Sequence, residues 1–126
     1  GRCVQCHETW AQVGRNAFNI GLDAADTDNG AGAGAFKSPS LRNIAVRRRF
    51  MHDGRFTTLD QVIDFYDTGV QDNPNLDIRL RDPQGQPLRL NLTAAQKAAL
   101  KAYLETFTDR ELLTAARFSN PFRTAN

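Results

Sequence analysis

Five consecutive residues, Cys3-Val4-Gln5-Cys6-His7, constrain this chain more than any other feature in it. They use both of its cysteines and one of its two histidines. Two thiols three positions apart reach the two vinyl groups on one edge of a porphyrin and form thioether bonds. The imidazole that follows then comes to lie under the iron as its proximal ligand. C-x-x-C-H therefore reads as an attachment site for one covalent haem c, held by Cys3, Cys6 and His7. The competing readings lack support. A structural zinc site needs four ligands, and the chain has no second cysteine pair. A thioredoxin-like dithiol belongs in a βαβ pattern, which is absent. Haem of this kind is attached outside the bacterial cytoplasm, so the motif predicts a periplasmic or extracellular location.

At 126 residues, with 40% hydrophobic and 24% charged residues, the composition is that of one small globular domain spanning 1–126. No apolar run approaches the roughly 20 residues that a bilayer-spanning helix needs, so no membrane span is expected. The chain opens at Gly1, and only Gly1 and Arg2 precede Cys3. A cytochrome c domain usually opens with a helix ahead of its haem motif, and that N-terminal helix is expected to be missing here. The net charge is +2 and the isoelectric point about 8.8. Arg47-Arg48-Arg49 is the densest basic run. It reads first as a solvated turn, and second as a counter-charge for haem propionates or a docking patch for an acidic partner. The other basic residues are scattered without a stacking-aromatic motif, which argues against nucleic acid.

Along the chain, a short helical or irregular stretch around the haem motif runs to Phe18 and Ile20. A glycine-rich loop over 21–35 follows. Asp26-Thr27-Asp28-Asn29-Gly30 hints at a calcium loop. Counted from Asp26, however, the sixth position is Ala31 where an EF-hand needs Gly, and the twelfth is Lys37 where it needs Glu; this is an acidic turn. A short helix is predicted over 38–46, with Ser38 as cap and Pro39 in its first turn. A better helix spans 58–68. Thr58 and Gln61 form its capping box, Gly69 stops it, and Leu59, Val62, Ile63 and Tyr66 form one buried stripe. Pro74, Pro83, Gly85 and Pro87 make 70–92 a loop, whose flanks 78–81 and 88–90 could pair as a hairpin. The most secure helix covers 94–107, with a second capping box from Thr93 and Gln96 and with Leu100, Tyr103, Leu104 and Phe107 on one side. A short helix follows Asp109. The pattern predicts an all-α, cytochrome c-like haem domain with long loops, in which haem supplies much of the core.

With His7 on one side of the iron, the sixth ligand decides function. An open site permits peroxide or oxygen chemistry, and a strong protein ligand favours electron transfer. Met51 is the only methionine, His52 the only other histidine, and Tyr66 a phenol on a buried helical face. Each has an ordinary structural alternative as a core filler, a loop histidine or a core aromatic. Spacing alone leaves the three open and leans towards Met51, the commoner c-type ligand.

The strings Phe36-Lys37-Ser38-Pro39-Ser40-Leu41-Arg42-Asn43-Ile44, Met51-His52-Asp53-Gly54-Arg55-Phe56 and Thr58-Leu59 resemble the C-terminal haem domain of bacterial di-haem cytochrome c peroxidases and their MauG-like relatives. Leu92-Thr93, Leu104 and Phe107-Thr108-Asp109 fit the same pattern. The resemblance runs from about Cys3 to Asp109. It implies that the distal ligand stands fourteen residues after the turn histidine, which is Tyr66, with Tyr there in MauG-like members and Met in classical peroxidases. Tyr66 thereby moves ahead of Met51, and His52 becomes a turn histidine. The resemblance further implies Arg42 as a propionate partner and a calcium ion bound in part by the backbone carbonyls of Arg47 and Arg49. Family members usually carry Thr and Pro at those two positions, and two guanidinium groups oppose a nearby cation. The implied function is a haem domain that relays or stores oxidising equivalents for a second haem, which reduces hydrogen peroxide or oxidises a protein substrate. The implied partners are that second haem domain or chain and an electron-donor protein. Two other functions stay open: a mono-haem electron-carrier module, and an enzyme in its own right with only His7 on the iron.

Overall fold

Side-chain caps set where helices begin in this chain. The structure, a computed structural model, describes residues 3–120 and 122. Helix α1 (Leu59–Asp64) starts where Thr58 Oγ1 accepts the Gln61 N–H at 3.2 Å and Gln61 Oε1 accepts the Thr58 N–H at 3.2 Å. Helix α2 (Ala94–Glu105) repeats the device with Thr93 and Gln96. Asp109 caps helix α3 (Arg110–Thr114) through the Leu112 N–H at 2.9 Å. Each box satisfies two amide N–H groups that a helix start otherwise leaves without a partner.

The expectation of an all-α fold is corrected. Among the described residues there are three α-helices, four short 3-10 turns, one π-turn and a two-stranded antiparallel sheet. Strand β1 (Ala17–Phe18) pairs with β2 (Phe36–Lys37), Phe18 opposite Phe36. Isolated bridges join Phe50 to Phe56 and Arg81 to Pro87. The reason is the amount of loop. Long connections that pack on one another must pair their main-chain groups, and where helix is excluded they do so across the fold.

Segment 38–46 is a case in point. Only Ile44–Val46 forms a 3-10 turn. Asn43 before it adopts the left-handed conformation (φ 57°), and residues 38–41 bond instead to the loop after the C-x-x-C-H motif: Gly14 N–H to Ser38 O at 3.2 Å and Leu41 N–H to Gln12 O at 3.2 Å. The hairpin expected around Gln84-Gly85 is a turn, closed by Leu88 N–H to Leu80 O at 2.7 Å. Its first flank is a 3-10 turn over Ile78–Leu80.

Two apolar clusters meet along α1 and the residue that follows it. Leu59 and Ile63 join Ile44, Phe50 and Leu104 in the first, while Phe65 joins Leu22, Val70 and Leu76 in the second. Phe56 packs against both, its ring 5.9 Å from that of Phe65. From α2, Leu104 is buried and Leu100 and Phe107 pack beside it, whereas Tyr103 is exposed and only edges onto Phe107.

The acidic turn in the glycine-rich loop is tied down by amides. Asp26 accepts from the side chains of Asn75 (2.7 Å), Asn73 (2.7 Å) and Asn19 (2.8 Å). Asn73 and Asn19 are buried. These donors, Asn75 first, hold the Asp26 carboxyl below the usual aspartate range. The network fastens the loop after β1 to the segment after α1.

Leu104→Ala removes a buried side chain from the first cluster and should cost about 2–5 kcal/mol in a denaturant melt. The Asp26 contribution has a pH signature. A depressed carboxyl contributes stability above its unfolded value, near 3.8, and loses it as pH falls through the lower folded value. Asp26→Ala should therefore be less stable than the parent at neutral pH, with the gap closing below about pH 4.

Candidate functional site

The C-x-x-C-H segment opens on a 3-10 turn, Cys3–Gln5, in which the Cys6 and His7 N–H groups both donate to the Cys3 carbonyl (3.2 and 2.9 Å). The chain then folds back. Gly14 lies so close to Cys6 that a Cβ there would overlap the Cys6 carbonyl oxygen and stand 2.9 Å from Ser38 Cβ. Ser40 Oγ donates to Ala11 O at 2.6 Å, fastening the same loop. Small residues and main-chain bonds thus press the motif onto residues 38–41.

His7 is half-buried, and its Nδ1 lies 3.1 Å from the Gln12 carbonyl oxygen. A carbonyl only accepts, so Nδ1 carries the proton and Nε2 keeps its lone pair, as a metal-ligating imidazole requires. Burial holds the imidazole below its usual pKa; the Gln12 and Pro39 carbonyls pull the other way without reversing the shift. Burial also pushes the Cys6 thiol up, partly offset by the charge of Arg79. A redox-active C-x-x-C needs the opposite shift. The Cys3 and Cys6 thiols are free.

Across from the motif, α1 does not continue as α-helix. Residues Phe65–Gly69 form a π-turn, a rare wide turn found mostly at functional positions. The extra residue per turn takes Tyr66 off the Leu59–Ile63 stripe. The stripe stays in the first cluster, while Tyr66 packs against the second, its ring edge-on to Phe65 at 5.0 Å. The phenol lines a cavity that it shares with Cys3, Cys6 and His7. Ile20, Leu80, Leu88 and Leu90 supply apolar walls. Burial, then the nearby Cys3 and Cys6, push the Tyr66 phenol well above its ordinary pKa. The donor set fits a c-type haem: two thiols, an imidazole and a phenol line one cavity with aliphatic walls.

The other residues singled out from sequence lie elsewhere. Met51 packs with Phe65, Val70 and Leu76 and is not among the cavity's lining residues. His52 is exposed, its ring stacked on Phe36 at 3.7 Å with planes 5° apart. The H-D-G-R-F turn is held by Arg55, which bonds Asp53 (2.6 Å) and both carboxylate oxygens of Asp23 (2.8 and 2.7 Å). Arg42 lies with its guanidinium 5.0 Å from the centre of the exposed Trp10 ring and does not line the cavity. Arg47 donates to the Ser40 carbonyl and Arg49 to that of Gly54. Sequence reasoning missed the wall residues Leu80, Leu88 and Leu90, because a proline-rich loop has no period to read. The alternation Leu88-Arg89-Leu90 was the available signal.

No protein-family model matches the chain. Among curated proteins it is similar to the methylamine utilization protein MauG of Methylorubrum extorquens (31% identical, 82% of this chain and 30% of that protein). It is similar also to MauG of Paracoccus denitrificans (35%, 79% and 31%) and to the cytochrome-c peroxidase IdrP2 of Denitromonas iodatirespirans (35%, 79% and 22%). The chain therefore spans less than a third of these relatives' lengths. Among solved structures, a MauG-like protein associated with microbial copper homeostasis superposes with a TM-score of 0.71 at 33% identity, covering 97% of this chain and 47% of that one. These relatives show that the chain belongs to the MauG-like and di-haem cytochrome c peroxidase family as a haem domain.

Proposed function

We propose that this chain is the second, C-terminal haem domain of a di-haem peroxidase or MauG-like oxidoreductase. It would carry one covalent haem c on Cys3 and Cys6, with His7 and Tyr66 as axial ligands. One observation carries the reading: the Tyr66 phenol shares a single apolar cavity with both thiols and the imidazole. When bound, the haem supplies one-electron chemistry at iron, with a potential set by its axial ligands. The residues do the rest. Gln12 fixes the His7 tautomer, and the leucine and isoleucine walls exclude water. Phenolate is a hard anionic donor, so Tyr66 stabilises ferric and higher-valent iron and lowers the potential. A site closed on both sides stores or relays oxidising equivalents, and hydrogen peroxide reduction or oxidation of a protein substrate falls to a second haem in a partner domain or chain. An electron-donor protein completes the set of partners.

The attachment chemistry of such a haem supports a periplasmic or extracellular location. Among the described residues no helix is long and apolar enough to cross a membrane. A calcium ion at the Arg47 and Arg49 carbonyls belongs to the same reading, because oxygen ligands from a second domain would have to complete its shell of six to eight. Arg42 is the weakest member of the proposed set: reaching a propionate would require it to leave Trp10.

Electron paramagnetic resonance of the ferric protein tests the ligand set, giving a low-spin signal for His/Tyr, a different one for His/Met and a high-spin signal for an open site. Tyr66→Phe should turn the signal high-spin, admit cyanide, and raise the potential by at least about 60 mV, a tenfold change in ferric-over-ferrous preference. An unchanged signal and potential would remove Tyr66 from the iron. Replacing Cys3 and Cys6 together with Ser should leave haem extractable into acidified organic solvent, whereas the parent keeps it.

A further inference from the structure

Asp67 follows Tyr66 directly and is not among the residues that line the cavity. Its side chain is only 4% exposed, unusual for a carboxylate. Two other parts of the chain, residues 90–92 and helix α2, meet on it. Its Oδ1 accepts the Leu92 N–H at 2.8 Å, its Oδ2 lies 2.7 Å from Lys97 Nζ on α2, and its main-chain carbonyl accepts the Leu90 N–H at 2.9 Å. Lys97 also reaches Asp64 Oδ1 at 2.7 Å, so one ammonium bridges the last residue of α1 and the middle of the π-turn.

A π-turn is rare and occurs mostly as a single turn inside an α-helix. The bonds to Asp67 tie this one to residues 90–92 and to α2. The same residue fixes the 90–92 segment, from which Leu90 projects into the cavity beside Tyr66. The Asp67 carboxylate thus ties the π-turn to Leu92 and Lys97, and its main-chain carbonyl ties it to the wall residue Leu90.

We propose that Asp67, clamped by Lys97, is the positioning residue for the Tyr66 phenol: it keeps the π-turn wound, and so keeps the phenol at the iron and exogenous ligands out. This rests on the reading of Tyr66 as an axial ligand. Loss of the clamp lets the turn relax towards α-helical winding, which swings Tyr66 back towards the α1 stripe and leaves the iron with His7 alone for part of the time. An exogenous ligand then competes for a site that is already vacant in that fraction, and its apparent affinity rises in proportion.

The test uses the haem-loaded protein and reads spin state and cyanide affinity. Asp67→Ala should convert a large share of the ferric signal from low-spin to high-spin and tighten cyanide binding about tenfold. Lys97→Met should move both readouts the same way, and Lys97→Arg, which keeps the charge, should restore them. Lys97 is about one-third exposed, so its variants keep the test available if Asp67→Ala does not fold. Parent-like spectra and cyanide affinity in a folded Asp67→Ala protein, or in Lys97→Met where Asp67→Ala is unfolded, would overturn the clamp while leaving Tyr66 ligation intact. A parent protein without the His/Tyr signal would instead overturn the ligand assignment, and the clamp's role with it.

Discussion

The short helix α1 is the part on which the arrangement turns. Its first half buries Leu59 and Ile63 with Leu104 and Phe50, and its continuation buries Phe65 with Leu22 and Leu76. Burying each such side chain fully contributes about 1.5–3 kcal/mol, so the register of six α-helical residues and one π-turn is fixed from both ends. Tyr66 follows Phe65 directly and packs against the second cluster, so its placement follows from apolar packing within the chain.

The opposite wall is built by other means. The C-x-x-C-H loop contributes no buried hydrophobic side chain among the described residues of its 3-10 turn. It is held by main-chain hydrogen bonds to residues 38–41, by the Ser40 hydroxyl and by the close approach at Gly14. One face of the cavity is therefore positioned by apolar packing and the other by polar main-chain contacts. Leucines from the 78–90 segment close the gap between them.

How much of this was legible in the sequence depended on the range of the signal. The two capping boxes are local, spanning four residues each, and Thr58/Gln61 and Thr93/Gln96 behave as read. The haem motif is also local. The helix expected over 38–46 failed because its main-chain groups find partners near residues 12–14, at a distance that periodicity does not register. Tyr66 illustrates a subtler limit. Counting by 3.6 residues put it on the Leu59 stripe, facing inwards, and inwards was right. The π-turn that sends it to a different interior surface leaves no mark in a hydrophobic pattern. The all-α expectation failed for a similar reason: two-residue strands and single bridges are made by loops that meet only in the folded chain.

The family strings also sort by what they do. Asp53 and Arg55 of the H-D-G-R-F turn are occupied with each other and with Asp23, so this part of the signature is an architectural clasp between two loops. The flat stack of His52 on Phe36, 3.7 Å apart and nearly parallel, belongs to the same clasp. An imidazole lying over a phenyl face sits in that ring's magnetic shielding cone. Its carbon-bound protons will resonate upfield of those of a free histidine, giving nuclear magnetic resonance a marker of loop docking at a residue that does not line the pocket.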